Sequence, residues 1–242
     1  MKKIAKAFLI VTGIIAALGL LQSPPDPMLL LYSIFAFAVL FRHRLVGFVR
    51  RIPLKSSVKF ILLVIAAGLL AECLAWLGNY LARNENPALF HPQLIPDLML
   101  GIGIYLGYAV AWIIILRYYR FSLLSVFVTG GLFGILIEGI FDMSYWPIIS
   151  IIQNLITDPL TSILMSAYLF VVHGSVMGLG YFLVEEEFSD NDSKKSNSWI
   201  KYPIAIVSIY VVALIFSIIF GLIVTSLGLI PEPGLIWERP LF

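Results

Sequence analysis

The chain is short of charge and has almost no cysteine. Of its 242 residues only 12% are Asp, Glu, Lys or Arg, against roughly 25% in an ordinary soluble domain. So few charges cannot cover a water-facing globular surface. A single cysteine, Cys73, excludes an internal disulfide and any Cys-x-x-Cys metal pair; set in an apolar run, it reads as a buried, inert thiol. No polar stretch is long enough to fold alone, so one domain is expected over 1–242. The chain has no His-Glu-x-x-His, no P-loop, no Gly-x-Ser-x-Gly in a plausible context and no row of arginines of the voltage-sensor kind. Its last apolar run carries no lysine, which excludes a retinal Schiff base there. No repeat of usable period is present, and nothing supports nucleic-acid binding.

What is there is apolar. Hydrophobic residues make up 60% of the chain and the mean hydropathy is +0.98. Long apolar runs recur at about 7–21, 28–41, 60–82, 98–116, 121–141, 160–184 and 202–229. They predict an all-α, polytopic membrane protein, a bundle of about seven transmembrane helices in the lipid bilayer. The run 28–41 is the shortest. Lys2, Lys3 and Lys6 give the first run the outline of a signal peptide. Leu21-Gln22-Ser23-Pro24-Pro25 offers no Ala-x-Ala cleavage site, so a retained first helix is expected.

The connections are read in the same way. A basic loop, 42–59, holds Arg42, Arg44, Arg50, Arg51, Lys55 and Lys59, and its LVGFVRRI suits the membrane surface. RNENPALFHPQLIPD has Pro87, Pro92 and Pro96, which oppose a regular helix. PIISIIQNLITDP, 147–159, is too short to span and suits an interfacial or re-entrant segment. A polar loop, 185–201, opens with EEEFSDNDSKKSNS, expected to be solvated and mobile, its three glutamates a solvated helix end. PEPGLIWERPLF reads as an extended tail with Trp237 as interfacial anchor. With the N-terminus inside, all but Arg83 and Arg239 of the 16 lysines and arginines fall on the inner side, which predicts N-in/C-out. The lysine-rich MKKI start suits a prokaryotic plasma membrane.

The organising stretch is TGGLFGILIEGIFD, 129–142. Gly130, Gly134, Glu138 and Asp142 follow at steps of four and so share one helix face, small at one end and acidic at the other. Glu72 has a similar face with Gly68, Ala75, Trp76 and Asn79. His173 lies mid-helix beside Gly174 and Gly178. A carboxylate at bilayer depth costs roughly 2.5–3.5 kcal/mol on insertion scales, so Glu72 and Glu138 must be partnered, protonated or hydrated. The expectation is a polar pocket opening outward. Glu72, Glu138 and His173 are its deep members, Asp142, Asp97 and His91 its mouth. Asp97 is also well placed as a helix N-cap. Such a set can do acid–base work, relay protons or hold a divalent metal; no cofactor is identified. Gly103/Gly107, Gly130/Gly134 and Gly174/Gly178 are small-xxx-small pairs, read as close packing of three successive spans. Tyr105 and Tyr108 are placed to line a cavity.

Glutamates and a histidine on separate membrane helices, here Glu72, Glu138 and His173, resemble the layout of the glutamate-dependent intramembrane proteases of the CAAX-protease kind. That family has adjacent glutamates, where this chain has Glu72-Cys73 and Glu138-Gly139, and an asparagine where it has Met177. The resemblance is a clue to chemistry and assigns no family. Three functions are open. The first is a membrane-embedded enzyme acting on a lipid, isoprenoid or membrane-peptide substrate, with Glu138 and His173 as acid and base and Glu72 assisting. The others are a small proton-coupled transporter and a non-catalytic assembly or scaffold subunit with a membrane-protein partner.

Overall fold

The computed structural model describes residues 3–87, 89–141, 156–189 and 199–242. Asp142, most of the 147–159 segment and residues 190–198 of the polar loop lie outside the described residues. The architecture is all-α. Helix α1 (Lys3–Ala17) runs into a 3-10 turn at Leu18–Leu21; α2 (Leu29–Leu40), α3 (Arg42–Arg50) and α4 (Ser56–Leu81) follow. Then come α5 (Leu94–Tyr118), α6 (Leu123–Phe141), α7 (Pro159–Phe182), a short α8 (Glu185–Ser189) and α9 (Lys201–Ser226). Four of them, α4, α5, α7 and α9, are long and apolar enough to cross a membrane, or five spans result if the bent α2–α3 pair counts as one. Two shorter apolar helices, Lys6–Leu21 and Leu123–Ile137, accompany them.

Local chemistry explains most of the boundaries. Helix α7 starts where Asp158 caps it, its Oδ1 accepting the Thr161 N–H at 3.3 Å, with Pro159 in the first turn, where no helical N–H partner is missed. Helices α4 and α9 end in the same way. The N–H groups of Arg83 and Asn84 turn back to the carbonyls of Tyr80 and Asn79; those of Gly228 and Leu229 turn back to Thr225 and Val224. This C-terminal motif needs a left-handed residue, supplied by Gly228 at φ +67 and, less comfortably, by Arg83 at φ +50.

Helix α5 begins at Leu94, four residues before its expected start at Leu98, and Pro96 lies within its first turn. Pro96 is therefore tolerated inside the helix, because first-turn N–H groups have no helical partner to lose, while Pro87 and Pro92 precede it. Gln93 is the N-cap residue, without a side-chain cap. The exposed amides of Leu94 and Ile95 are instead satisfied by the tail carbonyls of Pro240 and Leu241, at 3.0 and 3.2 Å. The expected free tail is thus folded back on the start of α5.

The helices pack side by side. Helix α5 lies chiefly against α9 and α4, α6 against α7, α7 also against α4 and α2, and α1 pairs with α2. Tyr108 meets Phe133 edge to face at 5.2 Å, a ring contact that bridges α5 and α6 across the core. The core between α4, α5, α6 and α7 is filled by Phe60, Val64, Tyr108, Trp112, Phe133, Met177 and Tyr181. Helix α9 leaves most of its apolar side chains exposed on the outside of the bundle.

Glycines set the spacing, as they must where lipid gives helices little hydrophobic reason to associate. A Cβ on Gly107 would stand 2.6 Å from Ala213 Cα, and one on Gly103 2.7 Å from Phe220 Cβ, so this pair faces α9. Gly130 and Gly134 face Met177 and His173 of α7, Gly174 faces the Phe127 carbonyl of α6, and Gly178 faces Phe35 of α2.

The two ends of the bundle differ. At the basic end, α8 is an ion-pairing hub, which corrects the expectation of a solvated helix end. Glu185 pairs with Arg42 at 2.9 Å and accepts the Leu123 N–H at 2.7 Å, tying α3 to the start of α6. Glu186 pairs with Arg42 and Arg50, and Glu187 with Lys59 at 3.1 Å. Lys201 opens α9 at this end, donating to the Arg120 carbonyl at 2.8 Å. The tail end carries the close of α4, the start of α5 and residues 227–242.

Candidate functional site

The site begins with two glycines on facing helices. On α4, Gly68 precedes Glu72 by one turn; on α5, Gly101 precedes Tyr105 by one turn. A Cβ on Gly68 would fall inside the Tyr105 ring, and one on Gly101 would reach Glu72 Cγ at 3.4 Å. Each large side chain therefore lies over the other helix's glycine. The two cross between the backbones, and the Tyr105 hydroxyl donates to Glu72 Oε1 at 2.5 Å. Tyr105 is 7% exposed. A hydroxyl-to-carboxyl hydrogen bond of this kind ties the two helices together at a point where few other polar partners are at hand.

One turn before Gly101 on α5 stands Asp97, fully buried. Its Oδ1 accepts the His91 N–H at 3.1 Å, while its Oδ2 has no hydrogen-bond partner among the described residues. Asp97 is thus no N-cap: the helix has already begun at Leu94, and its carboxylate holds the preceding loop. His91 is also buried. Its Nδ1 accepts the Gln93 N–H at 3.1 Å, which leaves Nε2 to donate to the Pro231 carbonyl at 3.1 Å. The Gln93 amide donates to the Gly234 carbonyl at 2.9 Å. Trp76 closes the same end, donating to the Pro92 carbonyl at 3.0 Å. Two of the three residues expected at a pocket mouth, Asp97 and His91, lie beneath the folded tail; the third, Asp142, is outside the described residues. A cleft of about 640 Å³ beside it is lined by Glu85, Asn86, Pro92, Gly234 and Glu238.

From Tyr105 a file of rings crosses the core. Tyr105 meets Tyr108 at 5.5 Å, Tyr108 meets Phe133 at 5.2 Å, and Phe133 meets His173 at 6.5 Å, each pair close to perpendicular. His173, half-buried on α7, lies over Gly134 of α6 as Tyr105 lies over Gly68 of α4. Glu138 follows Gly134 by one turn of α6; its side chain lies outside the described residues, as does Asp142. Among the described residues no group of three or more His, Cys, Asp and Glu is placed to hold a metal ion.

No family model, curated protein or solved structure matches the chain. Its function has to be read from its own geometry.

That geometry joins Glu72 and Tyr105 on the α4–α5 contact, with Asp97 two turns away along α5, and sets His173 on α6 through Gly134. The Glu72–Tyr105 bond is the feature the sequence reading did not name. A signal for it existed: Gly68-x-x-x-Glu72 and Gly101-x-x-x-Tyr105 are the same small-then-polar step, on helices consecutive in the chain. The tail's role had no such signal, since carbonyl caps leave no trace in side-chain identity.

Proposed function

We propose that the chain is a seven-span, N-in/C-out integral membrane protein of a prokaryotic plasma membrane. In this reading it is an embedded enzyme using acid–base chemistry on a hydrophobic or membrane-bound substrate: a lipid, an isoprenoid or a peptide. Glu72, Glu138 and His173 are its acid–base residues, with Tyr105 as the hydroxyl that holds the Glu72 carboxyl in place. The observation that carries it is the Tyr105–Glu72 hydrogen bond, 2.5 Å, inside an apolar helix pair. An acid held by a tyrosine hydroxyl within an apolar helix pair is positioned to take part in proton exchange. The parallel register, glycine one turn before an acid on both α4 and α6, supports a second half-site at Glu138 and His173.

The test is reconstitution into vesicles of total membrane lipid, with lipid and peptide products resolved by mass spectrometry. Product formed by the wild type and lost in folded Glu72→Gln and Glu138→Gln supports the enzyme. Wild-type product levels from both variants sink it. A second reading, a proton-coupled carrier, is favoured by one observation: Asp97, with its open Oδ2, stands two turns along α5 from Tyr105, towards the tail end. It requires solute uptake that collapses when the proton gradient is dissipated. Co-purification of a membrane partner that survives both substitutions would point instead to an assembly subunit.

A further inference from the structure

The basic segment 42–59 is divided in two by the α8 glutamates. Arg42, Arg50 and Lys59 are held by Glu185, Glu186 and Glu187, Arg50 at the exposed surface and the other two partly or wholly buried. Arg44, Arg51 and Lys55 are exposed and make no ion pair among the described residues. The helix carrying the first of them, α3, is bent 82° from α2, so it lies across the end of the bundle rather than along it. Its faces are sorted. Val46 and Val49, one turn apart, are buried against the bundle. Phe41, Leu45 and Phe48 form a stripe on another side, exposed by 55%, 37% and 69%. Arg44 and Arg51, two turns apart, line the edge of that stripe, each within three or four residues of Phe48.

An apolar stripe with cations along its edge is the pattern of a helix lying in the headgroup layer, rings among the acyl chains and guanidinium groups at the phosphates. We propose that α3 and the loop after it form a binding surface for anionic phospholipid headgroups, with Arg44, Arg51 and Lys55 as the phosphate-contacting groups. Charge complementarity selects the occupant. Three cations with no ion pair among the described residues, beside exposed rings, favour an anionic lipid over a zwitterionic one, and the α8 glutamates are already engaged with Arg42, Arg50 and Lys59. The inference rests on the membrane placement proposed above.

The experiment uses the full chain reconstituted into vesicles of phosphatidylcholine containing phosphatidylglycerol, then extracted mildly, with the retained lipid counted by native mass spectrometry. Flotation with the vesicles checks insertion separately. A cation near an anionic leaflet is worth about fivefold in binding. The wild type should therefore retain phosphatidylglycerol several-fold above its share of the vesicle. The triple variant Arg44→Gln, Arg51→Gln, Lys55→Gln should lose at least fivefold of that enrichment while floating normally. Salt titration on the wild type gives the same answer without a variant: enrichment should fall between low and high ionic strength. Failure to float would remove the membrane placement itself. Normal flotation without enrichment, enrichment unchanged in the triple variant, or cation-dependent capture of an acidic peptide or oligonucleotide in its place would overturn the lipid surface alone.

Discussion

Replacing Gly68 by alanine tests the central contact. The new methyl would fall within the Tyr105 ring, so α4 and α5 must separate or the ring must turn off its position. Overpacking of this kind costs about 1–3 kcal/mol. The displaced hydroxyl also leaves Glu72, and hydrogen bonds between membrane helices are worth about 0.6 kcal/mol on average and up to about 1.7. The expected loss is therefore about 2–4 kcal/mol, set against a gain of at most about 1 from replacing glycine in a helix. Tyr105→Phe alone should lose only the bond. In the Gly68→Ala background it should lose almost nothing further, giving a coupling of about 1 kcal/mol between the two sites. Gly101→Ala is the control, since its methyl would meet Glu72 Cγ at an ordinary 3.4 Å and should be close to neutral. The assay is reversible unfolding of the purified protein in mixed micelles. Wild-type stability in Gly68→Ala, or additive losses in the double variant, would refute the crossed-glycine arrangement.

Other contacts make equally definite predictions. Gly107→Ala would bring a methyl to 2.6 Å from the Ala213 backbone and should lower stability by about 1–3 kcal/mol in the same assay, separating α9 from α5. Arg83→Gly should raise stability by about 1 kcal/mol, because a left-handed residue with a Cβ costs about 1–2 kcal/mol that glycine avoids. Glu187 supplies a pH dependence. Burial alone would push its carboxyl up, but hydrogen bonds from Ser56 and Lys59 and the charges of Lys59 and Arg50 outweigh this and hold it below its ordinary value of 4.5. Its contribution is thus present in full above pH 4.5 and is lost as pH falls through the lower folded value. The acid limb of the unfolding curve should flatten in Lys59→Met, and an unchanged limb would remove Glu187 from the account. Gln93→Ala frees the tail at Gly234, so hydrogen exchange at Leu94 and Ile95 should quicken by an order of magnitude or more; unchanged protection would mean that the tail is held elsewhere.

Much of the fold can be read along the chain, because helices in an apolar run need only their own residues. The expected limits 28–41 and 160–184 fall close to α2 and α7, and Asp158-Pro159 explains the start of α7 from local chemistry. The readings that changed all depended on partners distant in sequence. Leu94 could start α5 only because Pro240 and Leu241 supply carbonyls from the far end of the chain. The glutamates at 185–187 read as solvated because their cations lie more than a hundred residues earlier. Asp97 read as a cap because nothing nearby in sequence reveals that the tail buries it.

Composition alone determined that the chain is all-α and apolar enough to enter a bilayer, since an apolar backbone segment must satisfy its own hydrogen bonds and a helix does so locally. Spacing alone marked the faces carrying Glu72, Glu138 and the glycines, because periodicity is a property of one helix. Which face meets which is a relation between helices, and a single strip of sequence holds no record of it. Only the tertiary structure laid Tyr105 over Gly68 and Glu72 over Gly101, set His173 on Gly134, and folded the tail over Asp97. The physical reason is steric: a missing Cβ permits a close approach, and only the assembled bundle decides what comes close.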